Sequence, residues 1–336
     1  MRGAGDIGVA AVARLAGVST ATVSNVINRP HLVSDDTQAK VRAAIDELDF
    51  VPNRAAATLR TGSSRLIGLV IPDVVNPFYA AIVDAVVEAA DRERYAVSLC
   101  VSHEDPDKEL RHFDILAEHR AAGALVVPVT ADPSRLSQLQ VVGARLILVD
   151  RKADESTMCS VSTDDVLGGQ LAIEHLLTQP GVGITLVNGS RSITQCEDRH
   201  RGAARALATA DPGSALTEIE VPEMTIEEGV AVGIRIARSD LPRRVFCTND
   251  QLAVGVLRGL ASEGLHAPAD VTVVGYGDLA LGTEEALRLT TIGQPKQEMG
   301  RTAVLRLLEE ISEGRSHRHR ATVFQPGLVP RSTTRP

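Results

Sequence analysis

The sequence predicts two structural classes within one chain, a small all-α head followed by a larger α/β core. The first sixty residues show the periodicity of short helices, whereas β-rich runs alternate with helical stretches from Leu66 onward. Between them lies the small polar segment Thr61–Ser64, which has the composition of a linker. We therefore predict a helix-turn-helix domain over residues 1–52, a short helix and linker over 53–64, and a core over 65–336.

The head is expected to begin with two helices joined by a tight turn. Apolar residues recur at i, i+3, i+4 and i+7 from Val9 to Ala16, which places them on one helix face. Gly17 can take the left-handed conformation that ends a helix, and Ser19 can cap the next one. The second helix has an apolar face that includes Val23 and a small polar outer face. This combination is the helix-turn-helix pattern.

A third helix and a short fourth one complete the predicted head. The third begins at Ser34, carries acidic residues in its first turn and ends near Phe50. Asn53 is a good cap for the segment that follows, but eight residues cannot form a stable helix alone in water. This segment therefore needs a partner surface.

The core is expected to contain two doubly wound parallel-sheet lobes, because about 270 residues exceed one such domain. We place the first lobe at about 65–160 plus 293–325 and the second at about 161–292. The predicted strands are Leu66–Ile71, Val97–Val101, Ala124–Val127, Leu146–Val149, Ile184–Val187, Val245–Thr248 and Val271–Val274. The predicted helices are Ala81–Glu93, Leu167–Leu177, Gly202–Ala210, Glu228–Ala237, Gln251–Glu263 and Met299–Ser312. Ligands of such sheets bind beyond the carboxyl ends of the strands.

Composition and charge exclude several classes of protein. No apolar run reaches the roughly 18–20 residues of a membrane span, and the N-terminus lacks the apolar stretch of a secretory signal, so we expect a cytoplasmic protein. Residues 1–60 carry seven Lys/Arg and six Asp/Glu, whereas the remaining chain carries 28 and 37. A head that does not repel polyanions, joined to an acidic body, is a weak indication of localised nucleic-acid contact, although random variation explains it equally well.

Neither a metal site nor a cofactor site is expected from the sequence. The four cysteines are spread far apart without a CxxC pair, which argues against zinc and for reduced thiols. We interpret His317-Arg318-His319-Arg320 as a solvated loop rather than a metal site. There is no phosphate loop, GxSxG elbow or HExxH motif, so we expect no enzyme.

Together, several ordered motifs resemble the LacI/GalR family of bacterial transcriptional regulators. In the head these are VARLAGVSTATVSNVIN at residues 12–28, Val33–Thr37 and Phe50–Asn53. In the core they are Asn76-Pro77-Phe78, Asp150-Arg151, Arg199 three residues before Gly202, Asn249-Asp250, Leu289–Ile292 and Gln294-Pro295. The resemblance covers nearly the whole chain. It implies a DNA-binding head, a hinge helix, and a core folded like a periplasmic sugar-binding protein.

The resemblance assigns the DNA-contacting residues. Thr20, Ala21 and Asn25 match the positions that reach base edges, where Asn can bond adenine and Thr or Ala can contact a thymine methyl. Residues that touch phosphates or cap helices are Ser19, Thr22, Ser34, Thr37 and Asn53. Leu59 and its dimer mate are implied to wedge into a minor-groove step and kink the DNA. A homodimer on a pseudo-palindromic operator is expected, because one head buries too little DNA surface for tight specific binding. A tetramer built on a terminal coiled coil is not expected, because the sequence shows no leucine heptad tail.

The resemblance also assigns an effector pocket between the lobes. The pocket positions are Asn76, Phe78, Asp150, Arg199 and Asn249, with Gln195, Met224 and Asp278 as further candidates. Carboxylate, guanidinium and amide groups around a ring suit a polyhydroxyl ligand, because each hydroxyl both donates and accepts. Lone Asp or Asn residues at strand ends are, alternatively, turn formers. A small polar effector, a sugar or sugar derivative, is therefore expected to control a repressor.

Two departures from the family and several alternatives stay open. Gly8 and Ala11 stand where the family usually has Thr and Asp, which predicts a weakly capped first helix. Gly277 replaces an acid that holds the ligand in many relatives, so the effector class is open. A nucleoside or purine effector, or an effector that acts as a co-repressor, is the main alternative. A solute-binding protein and a sugar-active enzyme are the remote ones.

Overall fold

The computed structural model describes residues 8–50, 64–129, 145–153, 157–211, 213–214, 216–281 and 283–335. Contacts divide the chain into two compact units, Met1–Ser63 and Ser64–Pro336. The expected hinge residues Asn53 and Leu59 lie outside the described residues. Each unit has its own hydrophobic core, so we describe the two separately.

The described part of the head, residues 8–50, consists of three helices, α1 (Val9–Ala16), α2 (Thr20–Asn28) and α3 (Asp35–Glu47), with a 3₁₀ turn at Pro30–Leu32. Gly17 ends α1 at φ 67°, and its N–H bonds carbonyls of the last turn. The Ser19 side chain accepts a hydrogen bond from the Thr22 N–H, as expected of a cap. Gly8 provides no side-chain cap for α1. The predicted turn and the weak first cap are both present.

A small apolar core holds the three head helices together. It consists of Val12, Ala13, Val23, Val26, Val41, Ala44 and Phe50. The axes of α1 and α2 turn by 102° at Gly17–Ser19, within the range of helix-turn-helix motifs. Among the described residues no single helix is long and apolar enough to cross a membrane. The bent pair α1 and α2 meets that test of length and composition only when counted together.

The first lobe of the core is a six-stranded parallel sheet with helices on both faces. Its elements are β1 (Leu66–Ile71), α4 (Pro77–Arg92), β2 (Ala96–Val101), α5 (Pro106–Glu118), β3 (Gly123–Val126), β4 (Leu146–Val149), β5 (Cys159–Thr163), α11 (Lys296–Glu313) and β11 (Ala321–Phe324). The strand order is β11-β5-β4-β3-β1-β2. On one face of the sheet, α4 and α11 contribute to the apolar core, and on the other face α5 does.

The second lobe repeats this plan with one antiparallel edge strand. Its elements are α6 (Asp165–Leu177), β6 (Ile184–Asn188), α7 (Thr194–Ala210), β7 (Leu216–Glu220), α8 (Ile226–Ala237), β8 (Arg244–Cys247), α9 (Asp250–Ser262), β9 (Thr272–Gly277), α10 (Glu284–Arg288), β10 (Thr290–Gly293) and β12 (Gly327–Val329). The strand order is β12-β10-β9-β8-β6-β7. Helices α8 and α9 cover one face, and α6 and α7 cover the other.

The chain crosses between the lobes at three places, and this corrects the expected lobe bounds. Strand β5 pairs with β4, so the first lobe extends to Thr163 rather than to about 160. After β11 the chain returns to the second lobe, where β12 pairs antiparallel with β10. Sequence periodicity missed both strands because β5 is polar in part and β12 has only three residues. The two sheets are otherwise consistent with the predicted doubly wound class.

Helix α7 begins earlier than predicted and packs closely against α6. The predicted helix began at Gly202, whereas the helix starts at Thr194. A Cβ at Gly202 would overlap the carbonyl oxygen of Val166 in α6. The missing side chain therefore lets the backbones of α6 and α7 approach.

Helices α8 and α9 make the same kind of backbone contact. A Cβ at Gly255 would overlap the carbonyl oxygen of Ile226 and lie 2.7 Å from the Cα of Gly229. We predict that Gly255→Ala destabilises the protein by about 1–3 kcal/mol, because neither backbone can retreat without repacking the lobe. Urea unfolding measures this. Gly327→Ala is the control, since no atom lies within 4 Å of a Cβ there. An unchanged unfolding midpoint for Gly255→Ala would show that the helices separate freely.

Candidate functional site

A cleft of about 300 Å³ lies where the carboxyl ends of strands from both sheets meet. The first lobe contributes the segments after β1 to β4, including Asn76 and Asp150. The second contributes the segments after β6 to β9, including Gln195 and Asn249. This is where ligands bind in parallel α/β sheets. Seven of the eight predicted effector residues line this cleft: Asn76, Phe78, Asp150, Gln195, Arg199, Met224 and Asn249.

Asp150 is a buried carboxylate with one unsatisfied oxygen. The residue follows β4 in the left-handed region at φ 59°, a conformation that Asp tolerates. Its Oδ2 accepts hydrogen bonds from Gln195 at 2.7 Å and from Arg151 at 3.1 Å. Its Oδ1 is buried and has no hydrogen-bond partner among the described residues. Burial raises the pKa of Asp150 to about 6, although Arg151 opposes this shift.

Gln195 connects the two lobes at this carboxylate. It lies in the first turn of α7, and its Nε2 donates to both Oδ2 and the backbone carbonyl of Asp150, at 2.7 and 2.8 Å. Its own Oε1 is buried and likewise has no partner in the described part of the chain. Two cleft-lining residues, one from each lobe, therefore each carry a buried acceptor without a partner among the described residues. Buried acceptors without partners are costly, so a ligand donor is favoured here.

Arg199 is held in a buried polar cluster of the second lobe. Its Nε donates to Asp165 at 2.8 Å, its Nη1 donates to the Thr248 carbonyl at 2.6 Å, and its guanidinium stacks 3.7 Å from the Tyr276 ring centroid. The Tyr276 hydroxyl also donates to Asp165. Burial acts to lower the pKa of Arg199, but Asp165, Tyr276, Cys196 and Asp150 together outweigh burial and raise the pKa, so the guanidinium stays charged. Asp165, the first residue of α6, is thus the ion-pair partner of Arg199.

The two predicted asparagines line the cleft but also cap helices. The Asn76 Oδ1 accepts from the Phe78 N–H at the start of α4. The Asn249 Oδ1 accepts from the Leu252 N–H, and its Nδ2 donates to the Met224 carbonyl. The amide of Asn249 is therefore engaged at both ends. Both asparagines therefore have the local structural role that was the alternative for them, and both also line the cleft.

Asp278 does not line the cleft, which corrects its assignment to the pocket. Its Oδ1 accepts a hydrogen bond from Arg331 at 2.6 Å, so the carboxylate is paired within the second lobe. Gly277 lines the cleft instead, at φ 127°. Lys296, at the start of α11 in the first lobe, donates to the carbonyls of Gly277 and Asp278. This is a second polar link between the lobes.

Several cleft residues were not predicted from the sequence. Tyr79 contacts Phe78 edge-on, with ring centroids 5.4 Å apart, and burial raises the pKa of its hydroxyl, which stays a donor. Arg151 and Glu104 also line the cleft. Arg151 belongs to the Asp150-Arg151 motif, so its position next to Asp150 in the sequence could have identified it as a cleft residue. Nothing in the sequence around Glu104 distinguishes it from a turn residue.

In the head, α2 exposes the three residues expected to read bases. Thr20, Ala21 and Asn25 are solvent-exposed, whereas Val23 and Val26 are buried. The Ser19 and Thr22 hydroxyls bond one another at 2.9 Å. At the start of α3 the Ser34 hydroxyl donates to Thr37 rather than capping a backbone N–H. The backbone N–H groups of that first turn therefore lack a side-chain cap, a favourable arrangement for a phosphate.

The predicted solvated loop at residues 317–320 is wrong for His317. Its side chain is only 2% exposed, because it packs against Cys159 at the start of β5. Sequence spacing did not reveal this, since the two residues are more than 150 positions apart. The pairing of β11 with β5 brings them together.

The buried charge of Asp150 predicts a substitution that stabilises the protein. Because burial raises its pKa from 3.8 to about 6, the neutral carboxyl stabilises the fold below about pH 4, and this contribution is lost as pH rises through about 6. Asp150→Asn should therefore raise the free energy of unfolding above about pH 6, by up to about 2–3 kcal/mol, and change it little below about pH 4. Urea unfolding across this pH range measures the difference.

Asp165→Asn is the matched comparison and should act in the opposite direction. It leaves the buried guanidinium of Arg199 without its carboxylate partner, which costs about 3–5 kcal/mol. If Asp150→Asn destabilises the protein near neutral pH as strongly as Asp165→Asn does, Asp150 is a satisfied structural residue rather than an open one.

Comparison with known proteins gives the family of the chain. Residues 10–53 match the family described as bacterial regulatory proteins, lacI family, and residues 174–334 match the periplasmic binding protein-like domain. The HTH-type transcriptional repressor PurR of Aliivibrio fischeri is 31% identical over 326 residues, 96% of each chain. The structure of the lac repressor dimer bound to operator and the anti-inducer ONPF is similar, with TM-score 0.84 and 27% identity over 96% of this chain and 97% of that one.

A second similar structure is a complex with a sugar. The transcriptional regulator CelR–cellobiose complex has TM-score 0.71 and 27% identity, covering 97% of this chain and 99% of that one. The matches extend over the head and both lobes of the core. The fold, the helix-turn-helix and the extent of the matches all agree with this family. The chain therefore belongs to the lacI family of bacterial regulatory proteins.

Proposed function

We propose that this chain is a repressor that binds operator DNA as a homodimer and that a small polar effector in the interlobe cleft controls its affinity for DNA. The observation that carries the effector assignment is the pair of buried, unpaired acceptors, Asp150 Oδ1 and Gln195 Oε1. The repressor assignment draws on the family and on similar chains that are themselves named repressors. We propose no enzymatic activity, since relatives of this kind are regulators.

The exposed face of α2 supports the DNA assignment. Asn25 and Thr20 project from a helix whose opposite face is fixed by the head core, so their positions are set by packing. An asparagine on such a face can bond adenine bidentately, and Thr20 and Ala21 can contact a thymine methyl. Two heads related by two-fold symmetry are required for tight specific binding. The minor-groove wedge assigned to Leu59 remains a prediction.

The chemistry of the cleft favours a sugar or sugar derivative as the effector. Two unpaired acceptors require donors, and neighbouring Arg151 and Tyr79 offer donors in return, so a ligand with groups that both donate and accept fits best. Hydroxyl groups have this property. The aromatic pair Phe78 and Tyr79 provides an apolar surface for a ring face. The volume suits a small ligand, and the similar CelR structure binds cellobiose.

The links between lobes provide a route from the cleft to the head. Asp150 and Gln195 belong to different lobes and are hydrogen-bonded to each other. A ligand that bonds both residues would therefore change the interactions that hold the lobes together. A change in lobe angle would alter the spacing of the two segments that lead to the heads in a dimer. Such short segments form helices only against a partner surface, so a small change can release the DNA.

Substitutions in the head should separate base reading from phosphate binding. Asn25→Ala is expected to relax base preference at one operator position, at a cost of about 1–3 kcal/mol there. Ser34→Ala is expected to weaken binding to all sequences alike, because a phosphate contact carries no sequence information. Selection of binding sites from random duplexes, followed by sequencing, measures both effects. A preferred motif that is the same for Asn25→Ala and the wild type contradicts the assignment.

Calorimetry with a panel of sugars, sugar phosphates, nucleosides and purines should identify the effector class. We expect a polyhydroxyl compound to bind the wild type, and Asp150→Asn to weaken it by about 10–100-fold, the value of a hydrogen bond to a charged group. Glu104→Gln is the control, since Glu104 lines the same cleft without a buried unpaired oxygen. Binding of a purine or nucleoside alone would overturn the sugar assignment. Equal affinity of wild type and Asp150→Asn for the ligand would overturn the pocket.

A further inference from the structure

Four potential metal ligands meet at the edge of the first lobe that lies opposite the cleft. Cys159 begins β5, Glu310 lies near the end of α11, and His317 and His319 lie in the connection to β11. One ligand atom from each lies within 4.8 Å of all the others. The cleft lies at the carboxyl ends of the strands, whereas Cys159 lies at the amino end of its strand. This group, which we call the Cys–His cluster, is therefore separate from the effector site.

The spacing within the Cys–His cluster matches a tetrahedral metal centre. The Sγ of Cys159 lies 3.2 Å from Nε2 of His317 and 3.9 Å from Nδ1 of His319. Metal–ligand bonds of about 2.0–2.3 Å place the ligands of a tetrahedral zinc ion about 3.3–3.8 Å from one another. These two separations bracket this range, and the remaining pairs lie within 4.8 Å. Only small side-chain movements are needed to close the shell.

The surroundings of the cluster orient its donor atoms. Nδ1 of His317 lies 2.8 Å from Glu313 Oε2, so the carboxylate fixes the proton on Nδ1 and leaves the Nε2 lone pair directed at Cys159. Outer-shell carboxylates hold metal-binding histidines in this way. The backbone N–H of Arg320 donates to the Cys159 sulfur at 3.3 Å. One Glu310 oxygen, Oε2, is buried and has no hydrogen-bond partner among the described residues.

We propose that the Cys–His cluster binds one Zn²⁺ per chain through Cys159, His317, His319 and Glu310. One thiolate, two imidazoles and a carboxylate form a donor set of intermediate softness, which suits zinc better than magnesium or calcium. Four protein ligands fill a tetrahedron, so the site is structural and leaves no position for substrate. The ion would fasten the connection after α11 to β5 and hold the edge strand β11 in the sheet.

The test uses the untagged full chain, freed of metal with a chelator and then loaded with Zn²⁺ or Co²⁺. After gel filtration, elemental analysis should find one zinc per chain, and the melting temperature should rise with zinc and fall again on chelation. Co²⁺ should give a thiolate charge-transfer absorption. Cys159→Ser should abolish this absorption and weaken zinc binding by more than the roughly 100-fold that loss of an outer-shell partner costs.

Two further variants make the outcome decisive. His319→Ala alters a partly exposed side chain, so it should fold and still weaken zinc binding. Cys100→Ser is the matched control, because Cys100 is buried in the same sheet, outside the cluster, and its loss should leave zinc binding unchanged. Circular dichroism confirms folding of each variant. Substoichiometric zinc in the wild type, or equal zinc affinity in the wild type, Cys159→Ser and His319→Ala, would overturn the proposal.

Discussion

The buried carboxylate of Asp150 is the feature on which the account of the core depends. It lies at the end of a first-lobe strand, in a left-handed backbone conformation, and is bonded across the cleft by Gln195 of the second lobe. One of its oxygens has no partner among the described residues, and burial raises its pKa to about 6. A group in this state is costly to the fold without a ligand and favourable with one. The protein thus gives up stability at the place where we propose that the effector binds.

The rest of the cleft provides a rigid frame for this carboxylate. On the second lobe, the guanidinium of Arg199 is fixed by Asp165 and by the ring of Tyr276, while backbone contacts at Gly202 hold α7 against α6. On the first lobe, a large apolar core supports α4 and the aromatic pair at its start. The lobes themselves are joined by three short crossings and by polar links such as those of Gln195 and Lys296. Rigid lobes with adjustable connections suit a protein in which a ligand changes the angle between domains.

Periodicity and capping predicted the three head helices, the sharp turn at Gly17 and seven core strands, because these elements depend on local sequence. The remainder depends on contacts between distant segments. The return of the chain to the second lobe after β11, the pairing of Asp278 with Arg331 and the double engagement of Asn249 are all products of tertiary packing. The Cys–His cluster is the extreme case, since strand pairing brings together residues that sequence spacing separates by more than 150 positions. Family motifs located the cleft, but only packing distinguishes a carboxylate with an unsatisfied oxygen from a fully paired one.

We propose that occupancy of the Asp150 site is coupled to DNA binding by the head. The most direct measurement is the affinity for labelled operator, by fluorescence anisotropy, with and without saturating effector. Coupling predicts that the effector changes operator affinity by about 5–150-fold in the wild type. At an effector concentration that just saturates the wild type, the change should be much smaller in Asp150→Asn, which should still bind operator normally without effector. If effector binds the wild type in the cleft yet leaves operator affinity unchanged, the cleft does not control the head.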